Sequence, residues 1–356
     1  MLRRLLTAAA LVAAGTAVPQ AHAAGGDPLY QEQYALTQLH APQAWTRAQG
    51  RGVVVAVVDS GVDLGHPDLR GRLVKGATFL RCGETSCGNG DWRSGPADRR
   101  KDAYGHGTHV AGAIVAGRNN GVGIVGIAPL AKVMPIKITD RQGNSSEHDV
   151  ALAFRWAVRH GATVINASLG YPSSYTEVVA AAQYAVDHGV VVVASAGNRS
   201  EPTCLEPAAV PGVICVTATD RNEAPAAYSS GAVKDGMRSV AAPGGAGQPG
   251  SVYTVALPQL PVPACEERIL STWPRGDAGL GRCPGEGGYR FLSGTSLSSP
   301  YVAGVAALLL SQGRSAQNTV DVILKTARTP GVGPGVWTPQ YGYGIADAGA
   351  AVRAPR

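Results

Sequence analysis

Unbroken apolar runs and amphipathic segments alternate along most of the chain. The first run, at residues 52–59, reads Gly-Val-Val-Val-Ala-Val-Val-Asp and ends at Asp59, two residues before Gly61. A run of this length without polar interruption suits a strand buried on both faces, as in a parallel sheet. Comparable runs follow at 132–138, 162–167, 190–196 and 213–219. Helical patterns separate several of them. Ser146 to His160 is one, stopping before Gly161; Ser174-Tyr-Thr-Glu177 reads as a capping box opening another, which Gly189 ends. Residues 105–117 and 300–312 predict further helices, the latter with Pro300 in its first turn, where a missing N–H costs nothing. A short helix is expected around 41–48. This order predicts an α/β fold: a doubly wound, mostly parallel sheet with helices on both faces. Residues 221–288 are irregular and rich in Pro and Gly, and are expected to be loops within a single domain.

Composition adds limits. The 356 residues are 45% hydrophobic and 16% charged, ample for a buried core. Net charge is +6, but the basic residues are scattered and form no run, which argues against nucleic-acid binding. Arg3 and Arg4, the apolar stretch Leu5 to Val18 and Ala21-His-Ala23 form the three parts of a secretory signal, so residues 1–23 are expected to be removed on export. No later stretch is long and apolar enough to span a membrane. Six cysteines in an exported chain predict disulfides. Proximity favours Cys82–Cys87, Cys204–Cys215 and Cys265–Cys283. The rival metal reading lacks a Cys-x-x-Cys or His-rich spacing.

The chemistry gathers at strand ends and one helix start. Ser296 lies on a small-residue turn, Gly294-Thr-Ser296, before the apolar run that ends at Leu310. At a helix N-terminus, free N–H groups favour developing negative charge. A serine hydroxyl becomes a nucleophile only beside a base. Asp59 ends the first core strand, where open α/β sheets bind ligands. His106 sits between Gly105 and Gly107 at a helix start, and Asn198 follows the buried run ending in Ala194-Ser-Ala-Gly197. Each alone also fits a turn or a packed position; His109 is expected to be a packed helix residue.

Taken together, Val57-Val-Asp-Ser-Gly-Val62, Gly105-His-Gly-Thr-His-Val-Ala-Gly112 and Gly294-Thr-Ser-Leu-Ser-Ser-Pro300 resemble the motifs of the subtilisin-like serine proteases. Asn166-Ala-Ser-Leu-Gly170, the Ala-Gly-Asn198 loop and Tyr341-Gly-Tyr-Gly-Ile-Ala-Asp-Ala348 extend the resemblance over nearly all of the mature chain. It implies a serine endopeptidase domain at 52–356, preceded by an N-terminal arm at 24–51. Ser296 would be the nucleophile, His106 the general base, Asp59 its orienting acid and Asn198 an oxyanion donor. Ser168, Leu169, Gly170, Ser195, Ala196 and Gly197 would hold a polypeptide substrate. Arg199 would disfavour basic side chains, leaving apolar or acidic ones. Asp27, Asp68 and Asn120 resemble a family calcium site, structural in role; no organic cofactor is implied. Leu297 replaces a methionine common in relatives beside the nucleophile. Ala24 to Arg51 is too short for the folding-assistant prodomain that most secreted relatives carry. A secreted monomer is expected. The alternatives are an inactive binding protein on the same fold and a serine esterase, though no Gly-x-Ser-x-Gly elbow surrounds Ser296.

Overall fold

The computed structural model describes residues 26–94, 105–140, 142–171, 175–233, 236–247, 264–276 and 288–356. The signal stretch therefore lies outside the described residues. Seven strands form one sheet: β1 (Val54–Asp59), β2 (Ala77–Thr78), β3 (Lys132–Lys137), β4 (Val164–Ala167), β5 (Val191–Ser195), β6 (Ile214–Thr219) and β7 (Arg238–Pro243). Their spatial order is β2-β3-β1-β4-β5-β6-β7, and every pairing is parallel. The order reverses direction at β1, so crevices for ligands open beside its carboxyl end.

The two faces separate the side chains by alternation. Val55, Val57, Val133, Val191 and Val193 face a core shared with α3 (His106–Val115), α6 (Thr295–Leu310) and α7 (Ala316–Thr326). Ala56, Val58, Ile136, Ile165 and Val192 face the layer of α4 (Glu147–Arg159) and α5 (Thr176–Asp187). Sandwiched strands of this kind have no solvent face, which is why their sequences run apolar without a break.

Several expectations are corrected in detail. The N-terminal arm before Gly52 packs onto the domain. Leu36, Leu39, Ala44 and Trp45, from α1 (Tyr34–Gln38), the turn after it and α2 (Ala41–Trp45), are buried in the same core as α3 and α6. α5 starts at Thr176 without a side-chain cap. The Glu177 carboxylate goes instead to His148 Nδ1 at 3.0 Å, and the other half of the expected capping box, Ser174, lies outside the described residues. The irregular stretch after Arg221 contributes β7 to the sheet edge, plus β8 (Ile269–Thr272), which pairs antiparallel with β9 (Tyr289–Leu292).

The largest difference is in α6. It begins five residues before Pro300, placing the proline in the second turn. A proline there leaves the carbonyl four residues earlier without its helical donor. That carbonyl belongs to Ser296, and the Ser168 hydroxyl donates to it at 2.7 Å. A side chain from the end of β4 thus supplies the bond that the helix lacks.

Candidate active site

β1 delivers Asp59 to the carboxyl edge of the sheet, and α3 begins there with His106. The imidazole Nδ1 lies 2.9 Å from both Asp59 carboxylate oxygens, and Asp59 Oδ1 also accepts the Ser60 N–H at 2.7 Å. Both side chains are buried. Their approach depends on Gly107. A Cβ at that position would sit 2.3 Å from the Gly61 carbonyl and 3.1 Å from Asp59 Cβ, so any larger residue would push α3 away from β1. The Ser60 hydroxyl accepts from the Gly107 N–H at 2.9 Å and pins the same junction.

Ser296 sits in the first turn of α6, with the helix N–H groups around it. Asn198 follows β5. Its Oδ1 accepts both the Thr295 N–H and the Thr295 hydroxyl, each at 2.9 Å. That leaves the Asn198 amide nitrogen as the group free to donate. Asp59, His106, Asn198 and Ser296 line one cleft, so four residues far apart in the chain share one surface.

The cleft wall includes Ser168, Leu169, Gly170, Ser195 and Gly197. Ala196 is different: its side chain is fully buried in the α4–α5 layer, and only its backbone takes part, accepting from the Leu205 N–H at 3.0 Å. Its fellow residues on the strand exit face the cleft because alternate side chains point to opposite faces. Leu205, within the 204–207 segment expected beside the substrate, also lines the cleft, as do Tyr171, Tyr175 and Ser145, which the sequence did not single out. The Tyr171 and Tyr175 rings stack at 4.6 Å, and the Tyr171 hydroxyl bonds to Ser145 on the β3–α4 loop. Thr295 belongs to the Gly294–Pro300 motif, and its place beside Ser296 is the one sequence signal of its part in the site. His109 is fully buried, as expected of a packed residue. Its Nε2 faces the Ile269 and Arg290 carbonyls at 3.2 and 3.0 Å.

Two disulfides brace loops: Cys82–Cys87 and Cys204–Cys215, with Cα separations of 5.5 and 6.6 Å. The second ties the segment carrying Leu205 to β6. Cys265 is also disulfide-bonded, and its expected partner Cys283 lies outside the described residues.

Asp27, Asp68 and Asn120 do come together. Asp27 accepts the N–H groups of Asn119, Asn120 and Gly121, at 2.7, 2.9 and 3.2 Å. Asp68 accepts from Asn120 Nδ2, the Ile124 N–H and the Tyr289 hydroxyl. Burial pushes the Asp68 carboxyl up to about 6 against these donors, and the negative charge of Asp27 adds to the rise. Two buried carboxylates converging on the 119–124 loop are the donor chemistry of a hard cation. Asn120, however, turns nitrogen rather than oxygen to Asp68, and would serve as a ligand only with its amide reversed.

Residues 50–344 match the model of the subtilase family. The chain is a subtilase. As a member of that family it is a serine endopeptidase, a hydrolase of peptide bonds. Thermitase of Thermoactinomyces vulgaris is 37% identical to this subtilase over 303 residues, covering 85% of this chain and 90% of thermitase. Fervidolysin of Fervidobacterium pennivorans is 36% identical and covers 93% of this chain, which spans 45% of fervidolysin. Among solved structures, a protease from Pseudoalteromonas arctica superposes with a TM-score of 0.73 at 30% identity, over 93% of this chain and 99% of its own.

Proposed function

We propose that this subtilase cleaves polypeptides by acyl transfer to Ser296. His106 Nε2 takes the hydroxyl proton as Oγ attacks the scissile carbonyl, then delivers it to the leaving amine. Asp59, bonded to Nδ1, holds the imidazole in the tautomer whose Nε2 can accept, and stabilises the imidazolium. Asn198 Nδ2 and the Ser296 N–H receive the charge that forms on the carbonyl oxygen. Water then loses a proton to His106 Nε2 and attacks the acyl carbon, and the proton passes to Ser296 Oγ as the acid leaves. An extended substrate adds its backbone along residues 168–170, so main-chain bonds give affinity and the adjoining walls give choice.

The observation that carries this reading is the Asp59–His106 contact at 2.9 Å in the cleft that Ser296 and Asn198 also line. Purified mature protein is expected to clear casein and to be labelled by a fluorophosphonate, and Ser296→Ala is expected to lose both properties. Casein hydrolysis by Ser296→Ala at the parent rate would end the assignment.

The reading extends to cellular place and to calcium. The stretch before residue 24 supports export, and no helix among the described residues is long and apolar enough to cross a membrane. The buried carboxylates of Asp27 and Asp68 support a structural Ca²⁺ that would clamp the 118–124 loop. Chelation by EGTA is then expected to lower the melting temperature; a melting temperature that EGTA leaves unmoved removes calcium from the account.

A further inference from the structure

Asn198 is followed directly by Arg199, which also lines the cleft. Its only ion pair among the described residues is with Glu201, at 3.9 Å, and the two side chains are 36% and 41% exposed. A pair so long and so wet contributes little and is screened by salt. The guanidinium is therefore available to a ligand. Apart from the tyrosines, the other ionisable groups on the cleft wall are Asp59 and His106, and these bond to each other. Glu206 is next to Leu205 but is not part of the wall.

The shape of the wall places this cation against one substrate residue. When the scissile carbonyl lies at Asn198 and Ser296, the side chain on the same residue enters between the exits of β4 and β5. Gly170 and Gly197 face each other there without side chains, and Leu205 fills the space beneath. Cβ atoms at the two glycines would lie 3.0 and 2.8 Å from Leu205 Cδ1. Arg199 is one Cα step, about 3.8 Å, from Asn198, and its side chain is long enough to reach the end of a side chain seated there.

We propose that Arg199 makes this subtilase favour an acidic side chain on the residue whose carbonyl is attacked. This rests on the peptidase reading above and names its substrate class. An exposed charge pair of this kind supplies on the order of fivefold in specificity.

The test is a set of tetrapeptide p-nitroanilides identical except for Glu, Gln or Lys next to the anilide. At low salt the wild type is expected to show a kcat/KM for Glu roughly fivefold above Gln, with Lys lowest, the spread narrowing as salt is raised. Arg199→Gln should bring Glu and Gln to parity, and Arg199→Glu should move the preference to Lys. Glu201→Gln, which removes the competing carboxylate, should raise the Glu-to-Gln ratio. Fluorophosphonate labelling of each variant verifies a folded site. A wild-type ratio near one, or a ratio that Arg199→Gln leaves in place, overturns the inference while the peptidase reading stands. Failure of the wild type to cleave any of the peptides or to take the label defeats both.

Discussion

His109 offers a quantitative test of how the core is built, independent of catalysis. Burial, with the positive charge of neighbouring His106 adding to it, holds the imidazole down at about 3. Its Nδ1 has no hydrogen-bond partner among the described residues, so no nearby acceptor rewards a proton there. An unfolded chain takes up that proton near pH 6.5. Between about pH 6.5 and about pH 3 the unfolded state therefore binds one more proton than the folded state, and stability falls as pH falls. Integrated from pH 7 down to about pH 4.5, this single group removes about 2.5 kcal/mol. The measurement is urea unfolding across that range, in a Ser296→Ala background so that self-digestion does not intrude. His109→Gln keeps an N–H donor for the Ile269 and Arg290 carbonyls but cannot titrate. Other acidic groups titrate alike in both proteins, so the difference between the two pH slopes isolates the histidine. Equal slopes for parent and variant would refute the reasoning.

Three further outcomes follow from the site. Asn198→Ala removes one hydrogen bond to a developing charge, so kcat should fall roughly 10²- to 10³-fold with KM little changed; an effect confined to KM would assign Asn198 to ground-state binding. Gly107→Ala drives a methyl against the Gly61 carbonyl, and is expected to cost about 1–3 kcal/mol and to depress kcat by separating His106 from Asp59. A Gly107→Ala protein with parental melting and turnover would show that α3 has slack there. Leu297 is buried beside the nucleophile and carries no thioether, so peroxide should leave activity within about twofold of untreated enzyme; rapid loss traced to this turn would contradict that.

The sheet was legible because burial on both faces writes itself as continuous apolar sequence, as at Val54–Asp59 and Val191–Ser195. β7 was not. Arg238-Ser-Val-Ala-Ala-Pro243 mixes polar and small residues at the sheet's edge, where Tyr343 and Ala346 bond to its backbone. The start of α6 was misplaced for a local reason: a proline six residues into a helix looks like an N-terminus unless another segment replaces its donor. Asp59, His106, Asn198 and Ser296 were legible through their motifs, since neither periodicity nor composition singles out one histidine from another. The orientation of Asn198 was beyond reach, because Thr295, which fixes it, is adjacent only in space.

The hydroxyl of Ser168 has a mechanical consequence. In the proposed mechanism the same residue borders the rim that would receive a peptide and bonds to the backbone of the attacking serine, so a shift in one is felt by the other. Strain imposed by a badly seated peptide is passed straight to the hydroxyl that must strike it. Fidelity of docking and competence to react are set by one rigid coupling, and redesigning either alone will disturb the other.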